Sequence, residues 1–223
     1  MRKPQAVIFD MDGVLIDSEP IHYEVERLIY DLLGIEVADS IHRNYMGASN
    51  DFMYSDLKSR FKLTASVEEL IKFDDDYRSD YLKNLKVVEL NSGVLDLLIE
   101  LQSQGIRLAV ATSSSPDIAN VLLNRCGIAS YFDSIVTTSE AGKSKPAPDV
   151  YLLAAQRLGV LPKDCIVFED SPNGLTAAKN ANMYCIVIQN DLQFEKQLKL
   201  ADYRISSFQE LTFDQLASIF QDI

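Results

Sequence analysis

The stretch Ala6-Val7-Ile8-Phe9-Asp10-Met11-Asp12-Gly13-Val14-Leu15 decides how the rest of the chain is read. Four apolar residues without polar alternation lead into one aspartate, and a second follows two positions on. Such a run fits a strand buried on both faces, as in a parallel sheet covered by helices. Ligands of open sheets of this kind bind beyond the carboxyl ends of the strands, so Asp10 and Asp12 project where chemistry is expected. Gly13 permits a sharp backbone turn directly behind them.

Downstream of Leu15 the pattern changes to a helical one. Asp17 and Ser18 are cap candidates, Pro20 suits a first turn and Gly34 a C-terminal stop. Between them Ile21, Val25, Leu28, Ile29, Leu32 and Leu33 fall on one helical face. Further helices are expected around Asp51 to Phe61 and from Ser66 to about Leu85, the second opening with Ser66 and Glu69 at capping-box spacing. No strand-like run occurs between Ile16 and Lys86, which predicts a small all-helical insert. From Val87 the rhythm becomes helix, strand, helix, strand. The helices are expected over 92–104, 115–127, 149–158 and 173–181, with a last one at the C-terminus. The strands are expected over 107–111, 134–137, 165–168 and 184–188, with a short edge strand over 203–205. Alternation of this kind implies right-handed crossovers and a three-layer α/β core: a parallel, Rossmann-like sheet with helices on both faces. The expected division is residues 1–17 and 85–223 for that core and 18–84 for the helical insert.

At 223 residues the chain can form one large domain or two unequal ones, and 47% hydrophobic with 24% charged residues suits an ordinary globular protein. A formal net charge of −12 argues against general affinity for nucleic acid or anionic membranes. It also means that an anionic substrate would require a locally positive site. No apolar run reaches the length of a membrane span. Arg2 and Lys3 precede an apolar stretch, but Asp10 and Asp12 interrupt it too early for a signal peptide. Cys126, Cys165 and Cys185 are odd in number and lack metal-ligand spacing. Two of them fall in expected strands, so they read as buried reduced thiols, and the expected compartment is the cytoplasm.

Asp-x-Asp alone is weak evidence, because the pattern recurs at Asp74 and Asp76 in a charged helical run that reads as a solvated face. Three further segments converge with the first. Leu108-Ala109-Val110-Ala111 runs into Thr112-Ser113-Ser114-Ser115 just before a helix start. Ser115 suffices as the cap, which leaves Thr112 and Ser113 with a hydroxyl and backbone N–H groups for an anion. Lys143 and Lys145 lie in a loop stiffened by two prolines, and Lys145 is held extended by Pro146. Finally, Ile166-Val167-Phe168 runs into Glu169-Asp170-Ser171, with Gly174 following. Carboxylates at that end are costly beside Asp10 and Asp12 unless a cation sits among them. Oxygen-only ligands in small number favour Mg²⁺.

Taken in order, Asp10-Met11-Asp12-Gly13, Thr112, Lys145-Pro146 and Glu169-Asp170 resemble the four motifs of the haloacid-dehalogenase-like hydrolases. With a helical insert directly after the first motif, the chain is similar to the branch that contains β-phosphoglucomutase and its phosphatase relatives. The resemblance implies that Asp10 is a nucleophile forming an aspartyl-phosphate and that Asp12 is the general acid and then the base. It implies Mg²⁺ held by Asp10, the backbone carbonyl of Asp12 and Asp170, with Glu169 bound directly or through water. Thr112, the Ser113 N–H and Lys145 would hold the phosphoryl oxygens. The insert would be a cap that closes over the site and excludes water, with His22 and the loop residues Gly47, Ser49 and Asn50 as substrate contacts. His22 equally suits a helix-face residue contacting the core, and His42 looks incidental.

Mutases of this branch resemble the chain but carry an Arg where Asn50 stands and a Lys near Phe73. Without those cations a second phosphate is poorly held, although Lys72 could substitute. The leading expectation is therefore a Mg²⁺-dependent phosphatase of a small phosphorylated metabolite, a sugar phosphate in the first instance, acting as a monomer. A phosphosugar mutase and a catalytically idle phospho-ligand-binding relative remain as alternatives. A dehalogenase, which needs neither the second Asp nor the metal, ranks below both. Nothing in the sequence names the metabolite.

Overall fold

In the computed structural model, residues 3–45, 50–188 and 197–221 are described. The chain separates into two units, Met1–Ser18 with Val87–Ile223, and Glu19–Lys86. The deciding stretch forms β1 (Ala6–Phe9), all four residues of which are buried. Val7 and Phe9 enter one apolar cluster while Ala6 and Ile8 enter another. Successive side chains of a strand point to opposite faces, so both faces of β1 are covered, which is why its sequence shows no polar alternation.

The unit Glu19–Lys86 contains α1 (Glu19–Leu32), α2 (Asp39–His42), α3 (Asn50–Phe61) and α4 (Val67–Asn84), and no strand among its described residues. The expected capping box is present: Ser66 Oγ accepts from the Glu69 N–H at 3.1 Å, and the Glu69 carboxylate accepts from the Ser66 N–H at 2.7 Å. Tyr30, Val37, Tyr45, Met53, Tyr54, Leu57 and Leu70 form its core. Three expectations need correction here. Leu32, the closing residue of α1, is exposed rather than inward. Asp74 is fully buried rather than solvated. Arg78, one turn further along α4, donates to it at 3.1 Å, and a paired carboxylate can be buried where an isolated one cannot. Asp76 does lie on the solvated face, paired with Lys72. His42 is not incidental: it is buried, with Nδ1 3.2 Å from the Tyr30 hydroxyl.

The other unit continues with α5 (Val94–Ser103), β2 (Arg107–Thr112), α6 (Pro116–Arg125), β3 (Ser134–Thr137) and α7 (Thr138–Ala141). Then come α8 (Asp149–Leu158), β4 (Cys165–Glu169), α9 (Pro172–Asn180), β5 (Tyr184–Ile188), β6 (Tyr203–Ile205) and α10 (Phe213–Gln221). Among the described residues the strands form one sheet of order β3-β2-β1-β4-β5-β6, parallel throughout. Helices α5, α6 and α10 pack on the Phe9 face, and α8 and α9 on the Ile8 face. Phe9 and Phe168 stack with centroids 5.1 Å apart, and Phe208 lies edge-on to Phe168. Burial of each such ring contributes about 2–3 kcal/mol, so the central strand pair is anchored immediately before Asp10 and Glu169. Cys165 and Cys185 are buried free thiols as expected, and Cys126 is a half-buried one. Among the described residues no helix is long and apolar enough to cross a membrane.

Candidate active site

Register places the motifs at one level. Phe9 pairs with Val110 of β2 on one side and with Phe168 of β4 on the other. The next residues along these three strands are Asp10, Ala111 and Glu169. The connection out of β1 leads to β2, whereas β4 lies on the opposite side of β1, so the order reverses between β1 and β4. A reversal of this kind opens a crevice at the carboxyl ends of the strands. The Asp10 N–H donates to the Phe168 carbonyl at 3.0 Å, which holds the first aspartate at the crevice. Behind it Gly13 adopts φ +74°, and a Cβ there would stand 2.0 Å from Asp170 Oδ2. The glycine therefore serves the turn and the close approach of Asp170 together. Asn91 supports the same turn, donating from Nδ2 to the Gly13 and Val14 carbonyls at 2.8 Å each.

Lys145 supplies the positive charge. Its Nζ donates to Asp10 Oδ1 at 2.8 Å, to Glu169 Oε1 at 2.7 Å and to the Ala111 carbonyl at 3.2 Å. Those three bonds use every donor of an ammonium. The peptide bond from Lys145 to Pro146 is cis. Glu169 is fully buried and accepts five hydrogen bonds. Lys145 and the Tyr151 hydroxyl, at 2.5 Å, donate to Oε1; the Asp170 N–H, the Ser171 N–H and the Ser171 hydroxyl donate to Oε2. Ser171 Oγ also caps α9 through the Gly174 N–H. The Glu169 carboxylate occupies the space that a side chain at Gly174 would fill, since a Cβ there would stand 1.7 Å from Oε1.

Carboxylate oxygens of Asp10, Glu169 and Asp170 lie within 4.8 Å of one another. At an effective dielectric constant near 20, each ionised pair at that distance repels by roughly 3–4 kcal/mol. One ammonium does not neutralise three such groups. Asp10 is accordingly pushed up to about 7, by burial first and by Glu169 and Asp12 against the lowering effect of Lys145. Asp170 is pushed up to about 8 by burial, Asp10 and Glu169. Burial raises Glu169 as well, but Lys145, Tyr151 and the Ser171 N–H outweigh it and hold the group below the usual glutamate value. Raised carboxyls beside an ionised one mark a place where positive charge is wanted. The donor set is all oxygen, which fits Mg²⁺.

Thr112 is buried at the end of β2, and its Oγ1 accepts from the Ser114 N–H at 3.0 Å. The Thr112 hydroxyl hydrogen is thereby left to donate elsewhere. Ser113 is exposed at the head of the loop. Ser114 donates from Oγ to Asp12 Oδ2 at 2.9 Å and so fixes the second aspartate. Ser115 caps α6, as expected. Asp10, Asp12, Thr112, Lys145, Glu169 and Asp170 are thus brought together within one unit. His22 and Asn50 belong to the other. The Arg78 Nη1 donates to His22 Nδ1 at 2.9 Å, and Asn50 opens α3 as an exposed residue. Gly47 and Ser49 lie outside the described residues. Sequence reasoning missed Ser114, Tyr151 and Asn91. For Ser114 the signal was available, since three consecutive serines exceed what one helix cap requires.

Comparison with known proteins agrees with this geometry. A family profile described as haloacid dehalogenase-like hydrolase matches residues 4–182. The phosphorylated carbohydrates phosphatase of Thermotoga maritima is 35% identical over 179 residues, 80% of this chain and 82% of that one. Hexitol phosphatase B of Escherichia coli K12 is 32% identical over 229 residues, 96% of this chain and 97% of that one. The crystal structure of β-phosphoglucomutase from Clostridium difficile superposes with a TM-score of 0.76 at 26% identity, covering 98% of each chain. The chain belongs to the haloacid dehalogenase-like hydrolase family, in the branch whose α/β core carries a helical insert. Its class within that family is the phosphoric monoester hydrolases.

Proposed function

We propose that the chain is a Mg²⁺-dependent phosphatase that hydrolyses the monophosphate of a small polyhydroxylated metabolite, a sugar or hexitol, through an aspartyl-phosphate on Asp10. The observation that carries the reading is Lys145 shared between Asp10 and Glu169 at the end of the central strand pair. In the first step a carboxylate oxygen of Asp10 bonds to phosphorus and the ester P–O bond breaks. The leaving alkoxide takes a proton from Asp12, which Ser114 holds in place. In the second step Asp12 takes a proton from water, the resulting hydroxide bonds to phosphorus, and the Asp10–phosphorus bond breaks to release inorganic phosphate. Lys145, the Thr112 hydroxyl and the Ser113 N–H stabilise the charge on the transferring oxygens.

Asp10, the Asp12 carbonyl and Asp170 would hold the metal. Glu169, with five hydrogen bonds already accepted, would border the ion through water. When bound, Mg²⁺ supplies the positive charge that one lysine cannot, and it orients the phosphoryl oxygens. The substrate class is supported by relatives named for phosphorylated carbohydrates and hexitols.

Colorimetric phosphate release from a panel of hexose, pentose and hexitol monophosphates tests the reading, with and without EDTA, for wild type and Asp10→Asn. Wild type with Mg²⁺ should release phosphate, and either change should lower the rate at least about a thousandfold. Equal rates in all four samples would overturn the proposal.

A further inference from the structure

Tyr151 is fully buried, and its ring belongs to the apolar cluster through which α8 meets the sheet. A phenylalanine would pack there equally well, so the hydroxyl needs a reason of its own, because a buried hydroxyl without a partner destabilises the fold. Its partner is Glu169 Oε1 at 2.5 Å, the same oxygen that accepts from Lys145 at 2.7 Å. The Lys145 ammonium also lies 5.0 Å from the centre of the Tyr151 ring. One side chain from α8 therefore touches both members of the buried ion pair, the carboxylate with its hydroxyl and the ammonium with its ring face.

This contact bears on how one cation is divided between two carboxylates. Lys145 spends one N–H on Asp10, one on Glu169 and one on the Ala111 carbonyl. The division depends on how much of the Glu169 charge other donors meet. The Tyr151 hydroxyl meets part of it without adding a second cation, and its direction is fixed because the ring cannot move within the packed cluster. Backbone N–H groups and Ser171 meet the rest at the other oxygen.

We propose that Tyr151 is a positioning residue of the active site, its hydroxyl holding Glu169 so that Lys145 stays shared with Asp10 rather than drawn onto Glu169. The assignment rests on the phosphatase reading for what Lys145 does, and on the contacts alone for how it is held.

The test uses the whole chain with Tyr151→Phe and with p-aminophenylalanine at position 151, which restores an N–H donor of similar reach. Calorimetric affinity for inorganic phosphate with Mg²⁺ present is measured beside kcat, KM and melting temperature. Tyr151→Phe should keep its melting temperature within a few degrees and weaken phosphate about threefold or more. It should lower kcat about tenfold with little change in KM. The p-amino variant should recover most of both losses. Unchanged phosphate affinity and kcat in Tyr151→Phe would overturn the assignment. So would a loss that follows a collapsed melting temperature and is not recovered by the amino group. A wild type that binds phosphate but hydrolyses no monophosphate would end the phosphatase reading instead. Phosphate affinity in the two variants would then decide for or against Tyr151.

Discussion

Each of the two units sets a fully buried carboxylate against a basic side chain, Asp74 against Arg78 and Glu169 against Lys145, and the two arrangements obtain that cation differently. In the helical unit Asp74 is served by Arg78, four residues further along the same helix. The same guanidinium reaches α1 at Glu26, 3.8 Å away, and at His22. Burial raises both Asp74 and Glu26, and Arg78 offsets it in each case. That cation arrives with the helix turn, whatever else the chain does, and its effect is to set how α1 and α4 lie together. In the α/β unit Lys145 comes from a loop 135 residues from Asp10 and 24 residues from Glu169. Distant segments must be ordered to assemble that cluster, and the carboxylates it gathers still outnumber the cation. A cation that stands one helix turn from its buried carboxylate is a local pair that packing alone explains, whereas carboxylates gathered from several strand ends at a crevice mark the candidate site for chemistry.

The largest separation between the two regions should come from removing one carboxylate in each. Asp10→Asn should lose phosphate release at least about a thousandfold while folding normally, and Asp74→Asn should keep most of its turnover and lose stability. Comparable activity in the two variants would break the contrast. Arg78→Leu strands the buried Asp74 carboxylate and should cost about 3 kcal/mol in urea unfolding. A change below about 1 kcal/mol would show that α1 and α4 do not depend on it. Gly174→Ala forces the Glu169 carboxylate out of its seat. It should cost about 1–3 kcal/mol and also lower turnover, whereas stability loss with full activity would detach Glu169 from the site.

The smallest effect sharpens the electrostatic half of the contrast. The folded values of Asp10 and Asp170, about 7 and about 8, lie above their ordinary unfolded value. The folded protein therefore holds protons that the unfolded chain has given up. Stability present below the unfolded value is lost as pH rises through the folded ones. His42, which burial lowers, acts in the opposite sense around its ordinary value. The thiols of Cys126, Cys165 and Cys185, which burial raises, act in the same sense as the two carboxyls only as pH nears the ordinary thiol value, so the window to read is pH 7 to 8. Without Mg²⁺ the melting temperature should fall across that window, and added Mg²⁺ should recover more at its upper end. A flat or rising magnesium-free curve would contradict the surplus of charge.

Most of the α/β unit was legible because each strand is a short apolar run closed by turn chemistry. Strands 134–137, 184–188 and 203–205 and the helix over 149–158 lie where the pattern placed them. The four-residue helices α2 and α7 were not legible, being shorter than the window that periodicity needs. Asp10, Thr112, Glu169 and Asp170 were readable at their strand ends and Lys145 in its loop, but the bonds that order them were not. Tyr151 looks in sequence like one more residue of the buried face of α8, and only β4 beside it explains the hydroxyl. Asp74 was misread although Arg78 stands at ion-pair spacing in the same helix. Charge density in that run outweighed the local pair.

Sheet order has a consequence for biosynthesis. β1 sits between β2 and β4, yet it leaves the ribosome roughly 100 residues before the former and roughly 160 before the latter. Until both arrive, its edges have no ladder partners, and its brevity, four residues, limits what a stray chain could pair with. The Asp10 carboxylate at its tip therefore meets neither Lys145 nor Glu169 and Asp170 until those distant segments have been made.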